Sequence, residues 1–67
     1  MITEIGIIAG EIWHYLEQNP EVKLSDLTKL IDKPRDFILM SLGWLAREGH
    51  IKLDTKVEDF KIVLRKQ

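Results

Sequence analysis

Cysteine is absent from the 67 residues, and neither sign of charge is in clear excess. Without cysteine the chain forms neither a disulfide framework nor a thiolate metal site, so its stability must come from a packed apolar core. The chain contains ten lysine and arginine residues and eleven aspartate and glutamate residues, which gives a formal net charge of −1. Proteins that bind the phosphate backbone usually carry a large positive excess, so this balance argues against strong binding to DNA.

Long apolar runs are also missing from the sequence. No uninterrupted stretch approaches the roughly 20 apolar residues that a membrane-crossing helix needs. The N-terminal segment MITEIGIIAG has no basic region of the kind that opens a secretory leader. We therefore expect a cytoplasmic protein that does not bind membranes. The composition, 45% hydrophobic and 31% charged, together with the short length, predicts one globular domain over residues 1–67.

The first third of the sequence has the apolar spacing of an amphipathic helix over residues 3–18. Thr3 is its predicted N-cap, and Asn19 before Pro20 ends it because a residue before proline avoids the helical region. The apolar positions of this first helix are Ile5, Ile8, Ala9, Ile12, Trp13 and Leu16.

Two further helices are predicted, separated by a short link. Ser25 is the expected N-cap of a second helix over residues 26–31, and Pro34 is placed to open a third helix over residues 34–48. Gly49 suits the left-handed position that follows a helix. Two helices joined so closely form a helix-turn-helix. The predicted buried side of the second helix consists of Leu27, Leu30 and Ile31.

The C-terminal part alternates apolar and polar residues over 51–55 and again over 60–64, which predicts two strands of a hairpin. The turn between them lacks glycine, so we expect a longer loop with Asp59 in an unusual backbone conformation. Residues 21–24 are extended in character and could add a short third strand. The fold class is therefore α+β, with three helices and a C-terminal hairpin.

Two segments give this order of elements a family resemblance: EIGIIAGEIW at residues 4–13 and LGWLARE at residues 42–48. With them, nearly the whole chain resembles a family of small stand-alone bacterial winged helix-turn-helix proteins of unknown function. The resemblance implies that the hairpin is the wing of that fold. It also implies a nucleic-acid-binding or transcription-associated role, although fold analogy alone does not establish one.

Residues that could carry enzyme chemistry are scattered. His14 and His50 lie on different predicted elements with no cysteine and no second histidine at ligand spacing. No serine, histidine and acid pattern suggests an activated nucleophile, and no glycine-rich loop follows a strand. We therefore expect no enzyme, no metal, no cofactor and no small-molecule substrate.

The third helix is the most informative segment, because in DNA-binding proteins of this fold it enters the major groove. An inward stripe of Ile38, Leu42 and Leu45, with Ser41 beside it, leaves an outward face that is poor in the polar groups that read bases. That predicted outward face consists of Arg35, Asp36, Leu39, Met40, Gly43, Trp44 and Arg47.

Under the nucleic-acid interpretation, Lys33 and Arg35 contact phosphate at the start of the third helix. Arg35 or Met40 then reaches base edges, and Lys56 on the wing touches the adjacent backbone. Any duplex DNA binding is expected to be weak.

The alternative is a protein interaction module, most simply a homodimer, that uses Phe37, Met40 and Trp44 as an apolar contact surface. A third interpretation is that these side chains are buried by the wing or by the second helix. Glycine is costly inside a helix, so Gly43 predicts that a backbone or bulky side chain comes close there. For Gly6 and Gly10 we expect close packing against another element of the core.

Overall fold

Helices and strands follow one another in the predicted order in the computed structural model, which describes residues 2–56 and 58–65. The α+β class and the winged helix arrangement are therefore confirmed. The elements are α1 (Ile2–Gln18), β1 (Glu21–Lys23), α2 (Leu24–Leu30), α3 (Arg35–Arg47), β2 (Ile51–Asp54) and β3 (Lys61–Leu64).

The three strands form one antiparallel sheet in the order β1-β3-β2. Ile62 at the centre of β3 pairs with Val22 on one side and with Leu53 on the other. The extended residues after α1 thus supply the third strand, although Leu24 already belongs to α2. The amide of Leu24 donates to the carbonyl of Phe60 at 2.9 Å, which fixes the start of α2 to the loop before β3.

A single apolar cluster joins the helices to one face of the sheet. Ser41, fully buried in α3, connects two helices: its hydroxyl lies 2.8 Å from the carbonyl oxygen of Phe37 and 3.1 Å from that of Ile5 in α1. The hydroxyl is thus satisfied, as a buried polar group must be. The buried apolar members are Ile8, Ala9, Ile12, Leu16, Val22, Leu24, Leu27, Ile31, Ile38, Leu42, Leu45, Ile51 and Ile62.

The ends of α1 and α3 differ slightly from expectation. Because α1 already includes Ile2, Thr3 lies inside the helix and is not its N-cap. Pro34 occupies the N-cap position, with φ −56° and ψ 136°, and therefore precedes the first helical residue. Gly49 has φ 80°, so the predicted left-handed residue after α3 is confirmed.

The start of α2 was predicted wrongly. The helix begins at Leu24, and Ser25, inside its first turn, does not act as the N-cap. The carboxylate of Asp59 instead accepts the amide of Ser25 at 2.9 Å and its hydroxyl at 2.5 Å. The unusual backbone expected at Asp59 is also wrong, because the only positive φ within residues 2–56 and 58–65 belongs to Gly49.

Two large apolar residues assigned to the core lie partly outside it. α2 starts two residues earlier than predicted, so Leu24 belongs to the helix and to its buried side. Leu30 is 55% exposed, and it lies about 120° around the helix from Leu24. Trp13 is 38% exposed, and its ring stacks on that of His50 with the centroids 4.0 Å apart. Trp13 therefore lies at the edge of the core, where its ring packs on His50.

Candidate functional surfaces

The inward stripe predicted for α3 is confirmed. Ile38, Ser41, Leu42 and Leu45 are each exposed by 1% or less. Their burial turns most of the other residues outward, although Leu39 is only half exposed and packs against the core. The exposed residues of α3 are Arg35, Asp36, Met40, Gly43, Trp44 and Arg47.

An apolar groove runs between α1 and α3. Its volume is about 620 Å³, and Trp44 and Met40 beside it are 48% and 40% exposed. Phe37 is half-buried against the core. The interpretation that the wing or α2 buries all three side chains is therefore wrong for Met40 and Trp44. The residues that line the groove are Ile5, Gly6, Met40, Gly43, Trp44 and Arg47.

The helical glycines have open space beside them in the part of the chain that the structure describes. A Cβ atom built on Gly6, Gly10 or Gly43 meets nothing within 4 Å. The predicted close packing against another element of the core is therefore wrong for Gly6 and Gly10. The close approach predicted at Gly43 is made by no part of the chain that the structure describes. Gly6 and Gly43 line the groove between α1 and α3.

The cationic residues singled out from the sequence are exposed and lie on two separate segments, the turn before α3 and the wing. Lys33 and Arg35 lie together at the turn that leads into α3, between Asp32 and Asp36 in the sequence. Lys56 follows β2 on the wing, and its amide donates to the carboxylate of Asp54 at 3.2 Å. Acidic neighbours therefore weaken the positive potential at both places.

Asp59 carries a role that the sequence reasoning missed. The hydrogen bond from the Ser25 hydroxyl, followed by that from the Ser25 amide, holds the pKa of Asp59 below its ordinary value, and the charges of Lys23 and Lys29 act in the same direction. The carboxylate thus supplies an acceptor for an amide in the first turn of α2, where the helix's own N-cap residue makes no side-chain hydrogen bond. The loop before β3 and α2 are held together by this contact.

The histidines are not arranged for metal binding. His14 lies 3.8 Å from Glu17, and His50 stacks on Trp13. Nowhere in the described part of the chain do three histidine, cysteine, aspartate or glutamate side chains cluster closely enough to hold a metal ion. Within the same residues, no helix is long and apolar enough to cross a membrane.

Residues 1–64 match the family described as winged helix-turn-helix domain (DUF2582). The chain belongs to this family. It is also 41% identical over 54 residues to an uncharacterized protein of Methanocaldococcus jannaschii, with 76% of each chain covered. That relative is archaeal, so it gives no support to the bacterial origin implied by the resemblance. No solved structure matches the chain.

Membership of the winged helix-turn-helix family accounts for the fold and suggests a role with nucleic acid. A domain of this kind is typically non-enzymatic. Neither the family description nor the relative assigns a function to a particular side chain.

Proposed function

We propose that this winged helix-turn-helix protein is a non-enzymatic, cytoplasmic module of one domain, residues 1–67, that binds nucleic acid weakly through the phosphate backbone. The observation that carries the proposal is the exposed pair Lys33 and Arg35 at the start of α3. In DNA-binding members of this fold, that end of the helix meets the duplex and the wing contacts the neighbouring backbone. Lys56 is the wing residue placed for such a contact.

Binding of this kind carries little sequence information. Base edges in the major groove are read by arginine, lysine, asparagine, glutamine, serine or threonine. The exposed face of α3 instead offers Met40, Gly43 and Trp44. Met40 has only a thioether sulfur, a weak acceptor. Of the two exposed arginines of α3, Arg35 lies at the N-terminal end that meets the bases and is the candidate for a base contact, whereas Arg47 lies at the far end. Asp36 beside Arg35 repels phosphate.

The salt dependence of binding to a short random duplex tests the proposal. Three phosphate contacts predict a slope of about −2.7 in log affinity against log salt, so affinity falls about 40-fold between roughly 50 and 200 mM salt. Lys33→Ala, Arg35→Ala and Lys56→Ala should each reduce the slope by about 0.9 and weaken binding equally for all sequences.

Lys61→Ala is the matched control, since Lys61 already pairs with Glu21 at 3.5 Å and the charge change is the same. If Lys61→Ala weakened DNA binding as much as Lys33→Ala does, the affinity would depend on net charge alone. Sub-micromolar binding to random DNA at physiological salt would contradict the weak binding proposed. Sequence-selective loss with Arg35→Ala would identify Arg35 as a base reader.

A second candidate function is protein–protein interaction, favoured by the exposure of Met40 and Trp44 beside an apolar groove. Methionine and tryptophan are both enriched at protein interfaces. Trp44→Ala should reduce association in sedimentation while the helical content in circular dichroism stays unchanged. A parent that is monomeric up to millimolar concentration together with a Trp44→Ala variant that loses its fold would place Trp44 in the core and remove this candidate.

A further inference from the structure

The exposed face of α3 is complementary to itself. Asp36 and Arg47 are eleven residues apart, which is close to three helical turns, so both side chains lie on the same side of the helix about 16 Å apart. Met40 and Gly43 lie between them on that side. One stripe along α3 therefore carries an acidic residue near the N-terminus of the helix, a large side chain and a glycine in the middle, and a basic residue near the C-terminus.

A second copy turned end for end matches this stripe position by position. If a two-fold axis passes between positions 41 and 42, Asp36 comes level with Arg47 of the second copy, and Met40 comes level with Gly43 of the second copy. The same axis repeats both pairs, because an interface between identical surfaces pairs each residue reciprocally. Opposite charges then meet at both ends of the interface, and a large side chain meets a glycine twice at its centre.

Asp36, Gly43 and Arg47 have no role in packing or ion pairing within residues 2–56 and 58–65. Among the residues that the structure describes, the ion pairs join His14 to Glu17 and Lys61 to Glu21, so neither Asp36 nor Arg47 has a salt-bridge partner there. Gly43 has open space where its Cβ would be, although glycine costs roughly 1 kcal/mol in a helix interior relative to alanine. A helix from outside the chain, brought close at this point, would account for that cost.

We propose that the protein forms a homodimer by antiparallel packing of α3 against α3 of a second copy, with Asp36 paired to Arg47 across the interface and Met40 seated over Gly43. Trp44, beside the stripe, adds apolar area next to the groove. Tryptophan, methionine and arginine are all enriched at protein interfaces.

The available surface predicts a weak dimer. A stable interface buries about 800 Å² per partner, about one sixth of this protein's 4762 Å². One helix face with its groove lies at the low end of the size range, so we expect dissociation at about micromolar concentrations. The dimer does not depend on the nucleic-acid proposal. Arg35 is turned about 100° from Asp36 on the helix, and Lys33 and Lys56 lie outside α3.

Exchanging the charges of Asp36 and Arg47 tests whether these two residues pair across the interface. The dissociation constant of the dimer is measured by sedimentation equilibrium in the absence of nucleic acid. Asp36→Arg or Arg47→Asp alone replaces two attractive pairs by two repulsive ones, and each should weaken the dimer at least tenfold. The double variant restores opposite charges in both pairs and should return to within about threefold of the parent.

The double variant also separates dimerisation from stability. Arginine at the start of α3 and aspartate at its end both oppose the helix dipole, so the double variant has the least stable α3 of the series. A purely structural role for these residues predicts that its dimer is the weakest. The proposed pairing of Asp36 with Arg47 predicts instead that the double variant dimerises better than either single variant.

Gly43→Gln gives an independent test that does not perturb the charges. A Cβ atom there meets nothing within 4 Å in the described part of the chain, and the longer side chain extends from the exposed face of α3 into the position of Met40 of the second copy. The variant should therefore keep its fold and lose the dimer. Gly10→Gln, at the other open helical position outside the groove, is the matched control and should dimerise like the parent. Lys33→Ala should also leave the dimer unchanged, which separates this proposal from nucleic-acid binding.

Three results would each overturn the proposal. They are a parent protein that stays monomeric up to millimolar concentration, a double variant that dimerises no better than the single variants, and a Gly43→Gln variant that still dimerises.

Discussion

Leu42 lies in the middle of the buried stripe of α3, and its side chain is 1% exposed. Truncation to alanine removes buried methyl groups and leaves a cavity that the surrounding core closes only in part. Such changes cost about 2 to 5 kcal/mol of unfolding free energy. A domain of this size is expected to have only about 3 to 10 kcal/mol in total, at roughly 0.05 to 0.15 kcal/mol per residue. Leu42→Ala should therefore remove a large share of the stability.

The assay is urea unfolding followed by far-ultraviolet circular dichroism, with Leu30→Ala as the matched control. Both substitutions replace leucine by alanine within a helix, so the change in helix propensity is the same. Leu30 is 55% exposed, and its truncation should change the unfolding free energy by less than about 1 kcal/mol. Equal midpoints for the two variants would refute the assignment of the inward stripe, and with it the outward face on which both functional proposals depend.

Two further predictions concern the residues that shape α2 and α3. The pKa of Asp59 is lowered in the folded protein, so the stability that its carboxylate contributes is present above the unfolded pKa near 3.8 and is lost as the pH falls through the lower folded value. Asp59→Asn should thus flatten the loss of stability below about pH 4 in thermal melts, and an unchanged pH profile would contradict the contact with Ser25. Gly49→Ala should destabilise the protein by about 1 to 2 kcal/mol because φ is 80° there. Gly43→Ala should stabilise the monomer by up to about 1 kcal/mol. If Gly49→Ala and Gly43→Ala changed the unfolding free energy equally in denaturant, the different backbone conformations assigned to the two glycines would be contradicted.

The parts of the fold that depend on local periodicity could be predicted from the sequence. The spacing of Ile38, Leu42 and Leu45 gave the buried side of α3, and the alternation after Gly49 gave the two strands of the wing. These signals arise from residues close together in the chain, so one helical or strand period fixes them.

The incorrect predictions concern contacts between segments that are distant in the sequence. Asp59 and Ser25 are 34 residues apart, and no local pattern indicates that one accepts hydrogen bonds from the other. The serine before an apolar segment predicts an N-cap at Ser25, and this pattern leaves Leu24 outside the predicted helix and its buried side. The outward face of α3 was largely predictable as the complement of the buried stripe. The groove was not, because Ile5 and Gly6 reach it only when α1 crosses α3.

Weak, sequence-independent contact with the nucleic-acid backbone can be followed by an amide chemical-shift titration of the protein with a short random duplex at low salt. We expect shifts centred on Lys33, Arg35 and Lys56, with little change at Met40 and Gly43. The largest shifts at Met40 and Gly43, or no shifts at any of these residues, would contradict it.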